Sequence, residues 1–167
     1  ADFSNFNSLN SVIYTPGRFY AVSDAGEIIT STNGRDWEYR TSPVTVSLNA
    51  LAYDSTNDVL VAVGNAGKVL SSYDGVTWDS LNISKYNLYA VSYQLGQFIA
   101  TGQHGKTYTS TDALVWSRSL TDAFVATTTD DQNTSYFLTS WGDFYRYNNG
   151  LYELQNNIST DQHFSNM

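Results

Sequence analysis

The sequence predicts an all-β fold, a β-propeller of about four four-stranded antiparallel blades, on three observations. A Ser-x-(Asp/Asn)-Gly-x-x-Trp motif recurs with a period near 40 residues, so that Trp37, Trp78 and Trp116 fall 41 and 38 residues apart. The apolar runs are short, and none carries the 3.6-residue period of an amphipathic helix over ten residues. Four such units bury their apolar faces most simply by packing sheet against sheet around an axis.

Each repeat reads as four strands in a meander. The first strand is an alternating segment, Val12-Ile13-Tyr14, Leu51-Ala52-Tyr53, Val91-Ser92-Tyr93 and, more loosely, Phe124-Val125-Ala126. A turn such as Thr15-Pro16-Gly17-Arg18 or Gln94-Leu95-Gly96-Gln97 joins it to the next strand. That second strand is a compact apolar run, Phe19-Tyr20-Ala21-Val22, Val59 to Val63, Phe98-Ile99-Ala100 and Tyr136-Phe137-Leu138, as expected of a strand covered on both faces. A glycine follows, Gly26, Gly67, Gly105 or Gly142, and then a third strand such as Glu27-Ile28-Ile29-Thr30 or Lys68-Val69-Leu70-Ser71. The motif closes the unit and leads into the fourth strand. The expected blades are 9–40, 48–81, 88–119 and 122–155 within one domain, with terminal arms 1–8 and 156–167.

The motif is Ser31-Thr32-Asn33-Gly34-Arg35-Asp36-Trp37 in the first copy and Ser72-Tyr73-Asp74-Gly75-Val76-Thr77-Trp78 in the second. The third is Ser110-Thr111-Asp112-Ala113-Leu114-Val115-Trp116, and the fourth is degraded to Tyr147-Asn148-Asn149-Gly150-Leu151-Tyr152. The Asp or Asn side chain can accept from backbone N–H groups ahead of it, Gly supplies a positive φ, and Ser satisfies a further backbone group. Ser31, Asn33, Gly34, Trp37, Ser72, Asp74, Gly75, Trp78, Ser110, Asp112 and Trp116 are therefore expected to be structural, each Trp packing across blade faces. Ala113 replaces the glycine in the third copy, so that turn is expected to be strained or of another type.

These residues resemble the Asp-box (bacterial neuraminidase repeat) propellers in the shortened Gly-x-x-x-x-Ser-x-Asp-Gly-x-x-Trp form common in bacterial and phage repeat proteins. Similar repeats occur in photosystem II assembly factors, sialidases and sortilin-like receptors. The resemblance covers nearly the whole chain and implies a propeller; it implies much less about function.

Composition narrows the partners. The formal charge is −8, and eight Lys and Arg are scattered along 167 residues, so no basic stripe is available for phosphates and no nucleic-acid partner is expected. No apolar run is long enough for a membrane span, so membrane insertion is not expected either. Without cysteine, neither a disulfide framework nor a thiolate metal site holds the fold. Ala1 is what removal of an initiator Met would leave, which reads as a complete, short translation product.

No catalytic constellation stands out. The sialidase chemistry raised by the resemblance needs an arginine cluster, whereas Arg18, Arg35 and Arg40 share one repeat and are not expected to converge with Arg118 and Arg146. His104 and His163 lack metal-ligand spacing, and Asp54 to Asp58 and Asp130-Asp131 lack the alternation of a calcium loop. No cofactor and no metal are expected, and the chain is read as a non-enzyme. The turns before the repeat glycines vary, and His104 and Trp141, with Tyr145 and Tyr147, form the candidate binding surface.

The functional expectation is a structural or binding module, first a phage or virus particle component such as a tail, fibre or capsid appendage, located in the virion. The alternatives are a carbohydrate-binding or adhesion propeller at the cell surface, or an assembly factor resembling those of photosystem II. Its expected partners are other virion or cell-surface proteins and possible glycans, with a homo-oligomer possible.

Overall fold

A computed structural model describes residues 7–118, 124–129, 134–139, 143–148 and 151–157. Blade 1 contains β1 (Leu9–Thr15), β2 (Arg18–Ser23), β3 (Ile28–Ser31) and β4 (Glu38–Arg40). Blade 2 contains β5 (Leu48–Asp54), β6 (Val59–Gly64), β7 (Lys68–Ser72) and β8 (Asp79–Asn82). Blade 3 contains β9 (Leu88–Gln94), β10 (Gln97–Gly102), β11 (Thr107–Ser110) and β12 (Ser117–Arg118). Blade 4 contains β13 (Phe124–Thr129), β14 (Ser135–Thr139), β15 (Asp143–Asn148) and β16 (Leu151–Asn157). Each blade is an antiparallel meander whose spatial order follows the chain, and the fold is all-β.

The second strand of blade 2 has no solvent face. Every residue of β6 is buried, and its run of β-branched residues suits a strand covered on both sides. The covering comes from neighbouring blades. Tyr20, Val22 and Ile28 of blade 1 meet Leu48, Leu51, Leu60, Leu70 and Trp78 of blade 2 in one apolar cluster. Val61, Val63 and Val69 of blade 2 meet Leu88, Val91, Phe98 and Ala113 of blade 3 in the next. Blade 2 thus has two apolar faces, one turned to blade 1 and one to blade 3.

The inner strands β1, β5, β9 and β13 pack side by side in chain order. Among the described residues β13 does not pack on β1 in this way, so the four blades form an arc.

A bulge recurs near the start of every inner strand, between Leu9 and Ser11, Leu48 and Ala50, Leu88 and Ala90, and Phe124 and Ala126. A bulge re-aims the extra residue, and here it turns an asparagine sideways. Asn10 Nδ2 donates to the Leu48 carbonyl at 2.8 Å, and Asn49 Nδ2 donates to the Leu88 carbonyl at 2.7 Å. The same strand-to-strand link is thereby made twice around the axis.

Candidate binding surface at the box end

In an up-and-down meander the turn after the first strand and the turn after the third lie at the same end of the sheet. The box turns therefore share one end of the propeller with the Thr15–Arg18, Asp54–Val59 and Gln94–Gln97 turns. The turns holding Ala25, Ala66 and His104 lie at the other end.

The three boxes have one geometry. Asn33 Oδ1 accepts from the Arg35 and Asp36 N–H groups at 2.8 and 2.9 Å, and Ser31 Oγ accepts from the Gly34 N–H at 2.9 Å. Asp74 Oδ1 accepts from Val76 and Thr77 at 2.8 and 2.7 Å, and Ser72 Oγ accepts from Gly75 at 2.9 Å. Asp112 Oδ1 accepts from Leu114 and Val115 at 2.9 and 2.8 Å. The N–H groups of Val76 and Thr77 hold the Asp74 carboxyl at about 2, and those of Val115 and Leu114 hold Asp112 below the usual carboxylate range.

Ala113 departs from the expectation of a different turn. It takes φ 61°, close to the 71° of Gly34 and 68° of Gly75, and the turn keeps the two hydrogen bonds to its Asp112 carboxylate. The extra methyl is fully buried in the cluster between blades 2 and 3, so added packing offsets part of the left-handed strain. Trp116 Nε1 donates to the Ala113 carbonyl at 3.1 Å, whereas the buried indole N–H groups of Trp37 and Trp78 have no partner among the described residues.

Between blades 2 and 3 the box end opens into a cleft of about 280 Å³, lined by Asp54, Asn57, Val59, Tyr73, Phe98 and Asp112 among others. Tyr73 stands half exposed at its mouth and donates its hydroxyl to the Asp112 carbonyl at 3.0 Å, linking the second box to the third. Asp54 is almost fully buried. Burial opposes its ionisation, but hydrogen bonds from the Asn57 side chain, the Thr56 N–H and Tyr93 outweigh that and hold its carboxyl low.

The matching cleft between blades 1 and 2 is about 130 Å³ and contains Arg18, Tyr20, Tyr53, Asp58 and Asp74. There Tyr53 donates to Asp58 Oδ1 at 2.6 Å, which pushes its phenol up to about 12. Around both openings Val76, Leu95, Leu114 and Val115 are exposed.

The surface named from sequence lies elsewhere. His104 is exposed at the opposite end with φ 60°, its ring set edge-on to Tyr86 at 5.0 Å, while Lys85 Nζ lies 5.1 Å from the Tyr86 ring centre. Tyr145 is half-buried on β15, Tyr147 lies further along that strand toward the box end, and Trp141 falls outside the described residues. Sequence reasoning missed Tyr73, Asn57 and Phe98. One signal was readable: Tyr73 fills the box position held by Thr32 and Thr111.

Residues 1–89, more than half of the chain, match the family described as the DUF6242 beta propeller domain. The chain belongs to that family. A search of curated proteins gave no match to this DUF6242 chain.

Its fold is shared with distant propellers. YCF48 from Cyanidioschyzon merolae aligns at 15% identity and TM-score 0.68, over 95% of this chain and 58% of that one. A structure described as YCF48 bound to D1 peptide aligns at 15% identity and TM-score 0.65, over 92% and 55%. The WD40 beta propeller domain of Doa1 aligns at 13% identity and TM-score 0.66, over 93% and 56%. The DUF6242 chain spans little more than half the length of these propellers.

Proposed function

We propose that this chain is a non-catalytic binding module whose box-end cleft between blades 2 and 3 receives a cationic, aromatic-bearing protein segment. One observation carries the reading. The cleft sets an exposed Asp112 at its rim, a half-exposed Tyr73 at its mouth and Val59 with Phe98 in its lining, over the buried Asp54 carboxylate. Carboxylates beside an aromatic edge and apolar surface suit an Arg or Lys flanked by an apolar side chain. The net charge of −8 favours such a partner over an acidic one. The peptide named in the YCF48 structure gives a precedent within the shared fold. Neither the family nor these neighbours adds support for a virus-particle or glycan-binding role, so the reading is kept to protein contact.

An array of 15-residue peptides tests the proposal. Retained peptides are expected to be rich in Arg, Lys and aromatic residues, to bind more weakly as salt rises, and to lose about tenfold in affinity to a Tyr73→Ala variant whose far-ultraviolet dichroism shows it folded. Retention that is insensitive to Tyr73→Ala, or no retention above an acidic control set, overturns it.

A further inference from the structure

Charge is sorted by end in blades 2 and 3, the two blades with a neighbour on each side. Between residues 48 and 118 the acidic residues are Asp54, Asp58, Asp74, Asp79 and Asp112, and all of them lie in or beside the box-end turns. Every lysine of the chain, Lys68, Lys85 and Lys106, falls in the same stretch but at the opposite end. Lys68 opens β7 and Lys106 directly precedes β11, each just after a turn glycine, while Lys85 sits in the link between β8 and β9. A chain of net charge −8 thus presents a local surface of the opposite sign.

Hydrogen bonds join these positions into one surface. Asn87 Oδ1 accepts from the Ala66 N–H at 2.9 Å, Asn82 Nδ2 donates to the Ala66 carbonyl at 2.7 Å, and the Ile83 N–H donates to the Gly67 carbonyl at 3.0 Å. The link carrying Lys85 is therefore laid against the turn that precedes Lys68. The Gln103 N–H donates to the Asn87 carbonyl at 2.8 Å and the Tyr108 hydroxyl to Ser84 Oγ at 3.0 Å, which ties the same link to blade 3. Within it the Tyr86 ring has the exposed His104 on its edge and Lys85 Nζ near its centre. Lys68 also lines a cleft of about 330 Å³, whose other walls are Ser42, Pro43, Val44, Thr45 and Val46, so the ammonium is the charged group of that lining.

We propose that this end of blades 2 and 3 is a second binding surface, separate from the box-end cleft, and that its occupant is a short acidic segment of a partner protein. One carboxylate of the segment enters the cleft toward Lys68, its methylenes against Pro43 and Val44, and another meets Lys85 beside the Tyr86 and His104 rings. Lys106 adds to the positive field of the same surface. The charge map also limits the size of the occupant. Glu27 in blade 1 and Asp143 in blade 4 hold the register position that Lys68 and Lys106 hold in blades 2 and 3, and Asp24 lies in the same turn as Glu27. A nucleic-acid duplex or an anionic bilayer would spread its charge over those flanking acids, whereas a short segment covers the lysines alone.

Fluorescence anisotropy with a labelled peptide of alternating Glu and Tyr, about ten residues long and at low salt, tests this. The peptide is expected to bind despite the net charge of the chain, to weaken as salt rises, and to lose about tenfold in affinity to a Lys68→Gln/Lys85→Gln chain that dichroism shows folded. Should the double variant fail to fold, Lys85→Gln alone, at an exposed position, is expected to cost about threefold. The Tyr73→Ala chain is expected to bind the peptide as the wild type does, which separates this surface from the box-end cleft. Absence of binding overturns the proposal, as does affinity unchanged by the lysine substitutions or lost with Tyr73→Ala. Tighter binding to phosphatidylserine vesicles or to a DNA duplex than to the peptide overturns it as well.

Discussion

The Tyr20 hydroxyl of blade 1 occupies the space into which a Cβ on Gly75 of blade 2 would project. The second box turn is therefore locked against the preceding blade as well as held by its own hydrogen bonds. In the next joint Val61 stands at the register position of Tyr20, and the box residue there is Ala113. A large side chain paired with glycine in one joint becomes a smaller one paired with alanine in the next.

That exchange predicts a measurable coupling. Gly75→Ala should destabilise the chain by about 2 kcal/mol or more, combining left-handed strain with overlap on Tyr20. In a Tyr20→Val background the same substitution should cost about 1 kcal/mol less, a coupling of the size expected for residues in contact. Chemical denaturation of the four chains of the double-mutant cycle measures it, and additive costs would refute the packing account.

Acid should loosen the boxes of blades 2 and 3 before that of blade 1. The Asp74 carboxyl is held at about 2, below its unfolded value near 3.9, and Asp112 is lowered in the same way. Such groups stabilise the fold above the unfolded value, and that contribution is lost as pH falls through the folded one. Asn33 makes the same two bonds without a titrating group. Asp74→Asn should thus leave melting at pH 7 nearly unchanged and flatten its decline between about pH 4 and 2, as followed by thermal melts across that range.

The asparagine link between blades should be worth about 1 to 2 kcal/mol, because Asn49→Ala leaves the Leu88 carbonyl without its side-chain donor. Amide exchange should rise in β9 more than in β7, since the lost bond spans the joint rather than the blade. Equal protection changes in both strands would show that Asn49 acts within its own blade.

Much of this was readable from the chain. Strand order and, to within about two residues, blade limits follow from the alternation of apolar runs, turn glycines and boxes, because a period-2 pattern and a positive-φ turn are local properties, although β16 runs to Asn157 into the expected terminal arm. The segments Ser8-Leu9-Asn10 and Ser47-Leu48-Asn49 also repeat 39 residues apart, a signal of the asparagine link that went unread. Its purpose was hidden, since the acceptor belongs to the next repeat and the bulge that aims the side chain is a feature of sheet pairing. The cleft was hidden for the same reason. Asp54, Tyr73 and Asp112 come from three different turns, and only the angle between blades brings them to one opening. At Ala113 the strain was legible and the unchanged turn type was not, because a positive φ is a local penalty while its compensation, burial against blade 2, is not.

The outer strands of the first three blades are very short: three residues in β4, four in β8 and two in β12. So few free N–H and C=O groups make poor templates for an added strand, which protects these margins from zipping onto other chains into fibrils. β16 departs from this rule with seven residues. A ligand that recognises main chain by lengthening a sheet would find its footing there, on the flank of blade 4, well away from the clefts that read side chains.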